Sequence, residues 1–191
     1  MSNEQARARA FADQLADLAE RGELQALLAA LIEPKAVLTR VVSILDAAPD
    51  VRDTLVELLI GGLSDRSPRM RFECAHALDR FGDVRCRAPL LKLIDDPVPR
   101  VRWMALHALS CDACKEDLFG DDDEVRARIA GRALGDESVQ VRRHAAVALG
   151  HARGEISIKA LRAILERESD SAVLRNAHAA LRNCGPEASA H

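Results

Sequence analysis

DRSPRMRFECAHAL, residues 65–78, is one of four copies of a single phrase. The others are DPVPRVRWMALHAL at 96–109, DESVQVRRHAAVAL at 136–149 and ESDSAVLRNAHAAL at 168–181. Each opens on an acid and passes through Pro or a small residue to an aliphatic. An Arg follows in the first three copies, and every copy ends in a run rich in Ala and Leu. The starts are 31, 40 and 32 residues apart, within the period range of stacked helix pairs. One such pair cannot bury its apolar face alone, so the copies must pack on one another.

Ahead of each phrase a Leu- or Ala-rich stretch runs into an acid: LLIGGLSD, LLKLIDD, RIAGRALGD and ALRAILERE. These spacings predict helix pairs at about 51–64 with 68–81, 85–95 with 99–113, 122–135 with 138–151, and 155–167 with 170–183. Pro68 and Pro99 fall in a first turn, where a missing N–H costs little. The acid before each helix suits its free N–H groups and positive end. Gly185-Pro186 stops the last helix, and residues 185–191 read as a fraying tail.

Residues 1–50 fit the phrase only loosely and read as an N-terminal helical cap over the apolar end of the array. Ala8, Phe11, Leu15 and Leu18 share one face of a helix over 3–21. Arg21-Gly22 punctuates it, a short helix follows over 23–32, and Pro34 opens a third running to about Leu45. Pro49 opens the next. The whole chain of 191 residues is therefore expected to be a single α-solenoid domain, with about four helix pairs over 51–184.

Composition narrows the function classes. Apolar residues make up 48% and aromatics only 3%, with no Tyr; helices packed through small side chains fit that balance better than a sheet. The net charge of −3 provides no broad attraction for nucleic acid or an anionic membrane. No apolar run approaches the roughly 18 residues of a membrane span. The N-terminus is charged from the start and lacks a secretory pattern. Five cysteines, an odd set within helical patterns, do not form a disulfide framework,. A cytoplasmic location is expected.

With these residues the chain resembles the HEAT-repeat family, in particular its short, phycobilisome-lyase-like type. The resemblance covers about 51–184 and rests on Asp–x–x–Pro–x–aliphatic–Arg followed by Ala/Leu spacing. The third copy has Val139 for Pro, and the fourth has Leu174 for Arg. The resemblance implies an all-α, right-handed α-α superhelix. It also implies a non-catalytic scaffold that binds a protein or peptide on its concave face, as a monomer or weak homo-oligomer without a cofactor. Enzymatic alternatives come with the family: a lyase-type protein acting on a protein-bound group, or a di-iron hydroxylase. The hydroxylase would require repeated His-Glu pairs, and the sequence has no His-Glu dipeptide. A HEAT-like nucleic-acid binder is the other alternative, and the interleaved acids dilute the arginines it would use.

Two sets of repeated positions carry the site reading. Arg71, Arg102 and Arg142 recur with the turn acids Asp65, Asp96 and Asp136 at one offset, which suggests a structural ladder between repeats; the alternative is a clamp for phosphate or carboxylate. Leu174 replaces the Arg where no further repeat needs a link. The next position holds Phe72, Trp103 and Arg143, with His76 and His107 one turn beyond the aromatics. With Met70, Cys74 and Leu78, and Val101, Ala105 and Leu109, assigned to the interior, this column falls toward the groove or its edge. It can contact a partner, since exposed aromatics beside Arg suit protein binding, or it can fill gaps between helices rich in small residues.

His107, Cys111 and Cys114 share a helical face, and imidazole with thiolate suits zinc. A complete site shows a second pair, which is missing, and isolated cysteines serve well as small buried hydrophobes; no metal site is expected. The 40-residue spacing marks an insertion of about nine residues around CDACKEDLFGDDDE. Its acids could meet a cation or a basic partner, but Asp121 to Glu124 also precede a helix and match its dipole.

Overall fold

A computed structural model describes residues 3–31, 49–110 and 121–185. The expected helix from Pro34 to Leu45, most of the insertion and the tail from 186 lie outside the described residues. Among the described residues there are ten α-helices, one short 3-10 turn and no strand. The chain divides into two compact units, Met1–Cys86 and Arg87–His191.

The first unit holds α1 (Asn3–Glu20), α2 (Leu24–Ala30), α3 (Pro49–Gly62), α4 (Pro68–Phe81) and the 3-10 turn Val84–Cys86. Helix α1 packs on α2 and α3, and α3 packs on α4. Ala8, Leu15 and Leu18 are buried along α1, while Phe11 is half-buried. Leu27, Leu55, Leu59, Cys74 and Leu78 are fully enclosed, each leucine contributing roughly 2 kcal/mol of apolar burial. Met70, expected inside beside Cys74 and Leu78, is only half-buried, whereas Val101, Val141 and Val173 at the same phrase position are fully enclosed. Arg85 fastens the turn after α4 to α3 through Asp53 at 2.6 Å, and to its own loop through Asp83 at 2.6 Å.

The second unit holds α5 (Arg87–Leu93), α6 (Pro99–Leu109), α7 (Asp123–Gly135), α8 (Val139–Ala152), α9 (Glu155–Arg167) and α10 (Ser171–Asn183). These are three consecutive pairs. The second helix of each pair meets the second helix of the next, α6 to α8 and α8 to α10, while α7 meets α9 beside them. Two rows result, joined by contacts within each pair. The boundaries match the expected ones within a few residues, and Pro68 and Pro99 open α4 and α6.

Small side chains let the second helices approach closely. Ala145, Ala148, Leu149 and Ala177 are fully enclosed. Gly150 marks a close approach of α8 to α10: a Cβ there would lie 2.8 Å from the Ala180 Cβ and 2.9 Å from its Cα. This is why Ala and Gly take positions that larger aliphatics fill in looser bundles.

Candidate functional site

The turn acids and the repeated arginines form one recurring device. In three consecutive phrases the Arg Nη1 donates to the backbone carbonyl of the acid that opens its own phrase. These contacts are Arg71 to Asp65, Arg102 to Asp96 and Arg142 to Asp136, each at 2.9 Å. The acid's carboxylate accepts the N–H two residues on, from Ser67, Val98 and Ser138 respectively. That geometry corrects the expected helix capping: an acid two residues before the cap position closes the turn, and the helix N–H groups lie beyond its reach. Side-chain caps are made instead by Asp122 on α7 and Asp170 on α10.

The rest of the guanidinium reaches forward to the next phrase. Arg102 donates from Nε and Nη2 to the two carboxylate oxygens of Asp136, both at 2.8 Å. Arg142 makes the same fork on Glu168, at 2.7 and 3.3 Å. Burial alone would push the Asp136 carboxyl up, but hydrogen bonds from Arg102 and the Ser138 N–H hold it below the usual range. The Arg142 hydrogen bond and two backbone N–H groups bring Glu168 down to about 2. With both partners engaged, Arg102 and Arg142 are occupied within the fold. Asp96 and Asp136 are buried, whereas Asp65 is exposed.

The aromatic column divides between the units. In the first, Phe72 is 8% exposed and stacks on His76 with ring centroids 6.1 Å apart. Phe72 therefore presents little surface, in keeping with the alternative in which it fills a gap between helices; His76 is half-buried. In the second unit Trp103 is half-buried and His107 exposed. Trp103 stacks on His144 at 5.0 Å and 24°, and His107 meets His144 edge-on at 5.6 Å. Three rings from α6 and α8 thus form one cluster. Arg143 is half-buried beside it, and its carbonyl accepts from the Asn176 amide of α10 at 3.3 Å.

His144 is the member that sequence reading missed. It aligns with Met104 of the preceding phrase, next to positions assigned to the core, so the column rule passed over it. Burial, then the charges of His107 and Arg143, bring its pKa from 6.5 to about 4. Its ring is therefore neutral near pH 7.

No group of His, Cys, Asp and Glu able to hold a metal ion occurs among the described residues. Cys111 and Cys114 lie outside them, so the set with His107 is not described. At the end of the insertion, Asp121 and Asp123 bind the Arg126 guanidinium at 2.6 and 2.7 Å, and Arg126 also donates to the Ala152 carbonyl at 2.8 Å. These acids anchor α7. No helix of the described residues is long and apolar enough to cross a membrane.

Comparison with known proteins places this architecture. No curated protein matches. A designed armadillo repeat protein in complex with the peptide (KR)4 is similar in structure at 21% identity and a TM-score of 0.57, over 95% of this chain and 91% of that one. One engineered protein is similar at 18% identity and a TM-score of 0.52, over 96% of this chain and 99% of its own. Another reaches 20% and 0.54, over 99% of this chain and 47% of its own. At these identities the likeness concerns the fold. A model of HEAT repeats matches residues 24–110 and 53–131, together more than half of the chain. The phrase, the paired helices it opens and the family match agree, and the chain belongs to the HEAT-repeat family.

Proposed function

We propose that the protein is a non-catalytic scaffold that binds a protein or peptide along the second-helix row of its second unit. The carrying observation is the Trp103–His107–His144 cluster, with Arg143 beside it on neighbouring helices. A half-buried Trp stacked on the His144 ring provides rigid contact area at little entropic cost, and a flanking Arg adds directional hydrogen bonds. The repeat fold is compatible with such a role, and one structural relative is a designed repeat protein in complex with a peptide. Phe72 and His76 belong to the first unit and are not part of this contact set. The cytoplasm is the proposed location.

A phage-displayed random peptide library selected against the purified protein tests this reading. Enriched peptides should bind the parent protein and lose about tenfold or more in affinity on Trp103→Ala, the range of a hot-spot residue. Peptides that bind Trp103→Ala and Arg143→Ala as tightly as the parent would refute the assigned surface.

A further inference from the structure

Charge is segregated on the second unit in a way the net value of −3 conceals. The second helices α6, α8 and α10 contain no Asp or Glu: PRVRWMALHAL, VQVRRHAAVALGHA and SAVLRNAHAALRN. Among the described residues, the acids of the turns that open these helices are engaged. Asp136 and Glu168 hold Arg102 and Arg142, Asp170 caps α10, and Asp95 holds Arg128 and Arg132 of α7. The corresponding helix of the first unit differs, since α4 carries Glu73 and Asp79.

Among the described residues, Arg143, Arg175 and Arg182 make no ion pair with a carboxylate; the Arg175 guanidinium has the Ser171 hydroxyl at 3.2 Å. Arg143 and Arg175 occupy the same place in consecutive phrases. The Asn176 hydrogen bond to the Arg143 carbonyl sets those places side by side on α8 and α10. Arg175, His178 and Arg182 follow at i, i+3 and i+7 along one exposed face of α10,. The row thus runs from a cluster of rings to a set of guanidinium groups.

We propose that this row binds an acidic peptide segment, with Arg143, Arg175 and Arg182 pairing its carboxylates and the Trp103 cluster taking an apolar side chain. This inference rests on the scaffold reading above and specifies its partner. Separate guanidinium forks match discrete carboxylates in bidentate geometry. A continuous phosphate backbone is the poorer fit, because it needs many cations in succession and the turns at the helix starts carry acids. A basic peptide would meet like charge at Arg143, Arg175 and Arg182.

Fluorescence anisotropy with fluorescein-labelled peptides tests it. One peptide is built from Glu, Leu and Ala, a second replaces Glu with Lys, and the third probe is a single-stranded oligonucleotide. The acidic peptide should bind, more weakly as salt rises, and the basic one should not. The Arg143→Gln/Arg175→Gln/Arg182→Gln variant, checked for an unchanged melting temperature, should bind about tenfold or more weakly. Absent binding of the acidic peptide, equal binding of the basic one, or full retention by the triple variant would overturn the proposal. Tighter binding of the oligonucleotide at the same salt would replace the peptide with nucleic acid. Non-acidic library peptides that still depend on Trp103 would remove this inference while leaving the scaffold reading intact.

Discussion

Arg102 and Asp136 stand 34 residues apart in sequence and close a two-bond fork at 2.8 Å. Their side chains are 6% and 0% exposed. Breaking a buried pair from one side leaves an uncompensated charge, at a cost of about 3–5 kcal/mol. Asp136→Ala should therefore lower the stability measured by urea unfolding by about 3 kcal/mol. A double-mutant cycle with Arg102→Met should show strong coupling. Additive losses would mean that Arg102 acts mainly through the Asp96 carbonyl.

Acid should weaken the fold in two stages. His144 is held at about 4 against an ordinary 6.5, so the unfolded chain takes up its proton first. The stabilisation from its neutral ring is complete above pH 6.5 and falls away toward pH 4. Glu168, at about 2 against 4.5, and Asp136, below 3.8, contribute stability above those unfolded values and lose it as pH falls further. The melting temperature should begin to fall below about pH 6.5 and fall faster in stronger acid, and His144→Gln should remove only the upper stage. A flat profile between the two histidine values would contradict the burial of this ring.

Trp103 is the only Trp and there is no Tyr, so the emission reports the surroundings of this one side chain. Protonation of His144, stacked on it at 5.0 Å, places a cation against the indole face. The emission should change with a midpoint near 4, and this step should vanish in His144→Gln. Persistence of the step in the variant would assign it to another group.

Gly150 has no room for a side chain against Ala180. Gly150→Val should cost about 1–3 kcal/mol through forced separation of α8 and α10, read as a lower thermal midpoint. An unchanged midpoint would show that α10 can shift without loss.

The Ser157 hydroxyl on α9 is fully enclosed and has no hydrogen-bond partner among the described residues. Ser157→Ala should leave stability unchanged or raise it by about 1 kcal/mol, since a buried polar group is removed without breaking a bond. A clear loss on chemical denaturation would instead reveal a bound water or a relaxed partner.

The helices were legible because their signals are local. Pro68 and Pro99 mark first turns, and Ala and Leu at three- and four-residue spacing mark the packed face. The repeated phrase gives the register of each pair. The acid–Arg recurrence was equally visible, but its wiring was not: Arg102 takes the carbonyl of its own acid and the carboxylate of the next. Phe72 and Trp103 share a phrase position, yet one is buried and the other half-exposed, because burial depends on what packs against the helix. His144 escaped the column rule for the same reason: its place in the ring cluster depends on how α6 and α8 meet.

By itself, then, the sequence determined an all-α array of paired helices and the recurrence of its turn device, since both arise from spacing within about forty residues. Tertiary structure alone decided which arginines are engaged inside the fold and which rings share a cluster. It also decided where an acid-free row of helices runs. Those outcomes depend on contacts between residues distant in the chain, and periodicity carries no record of them.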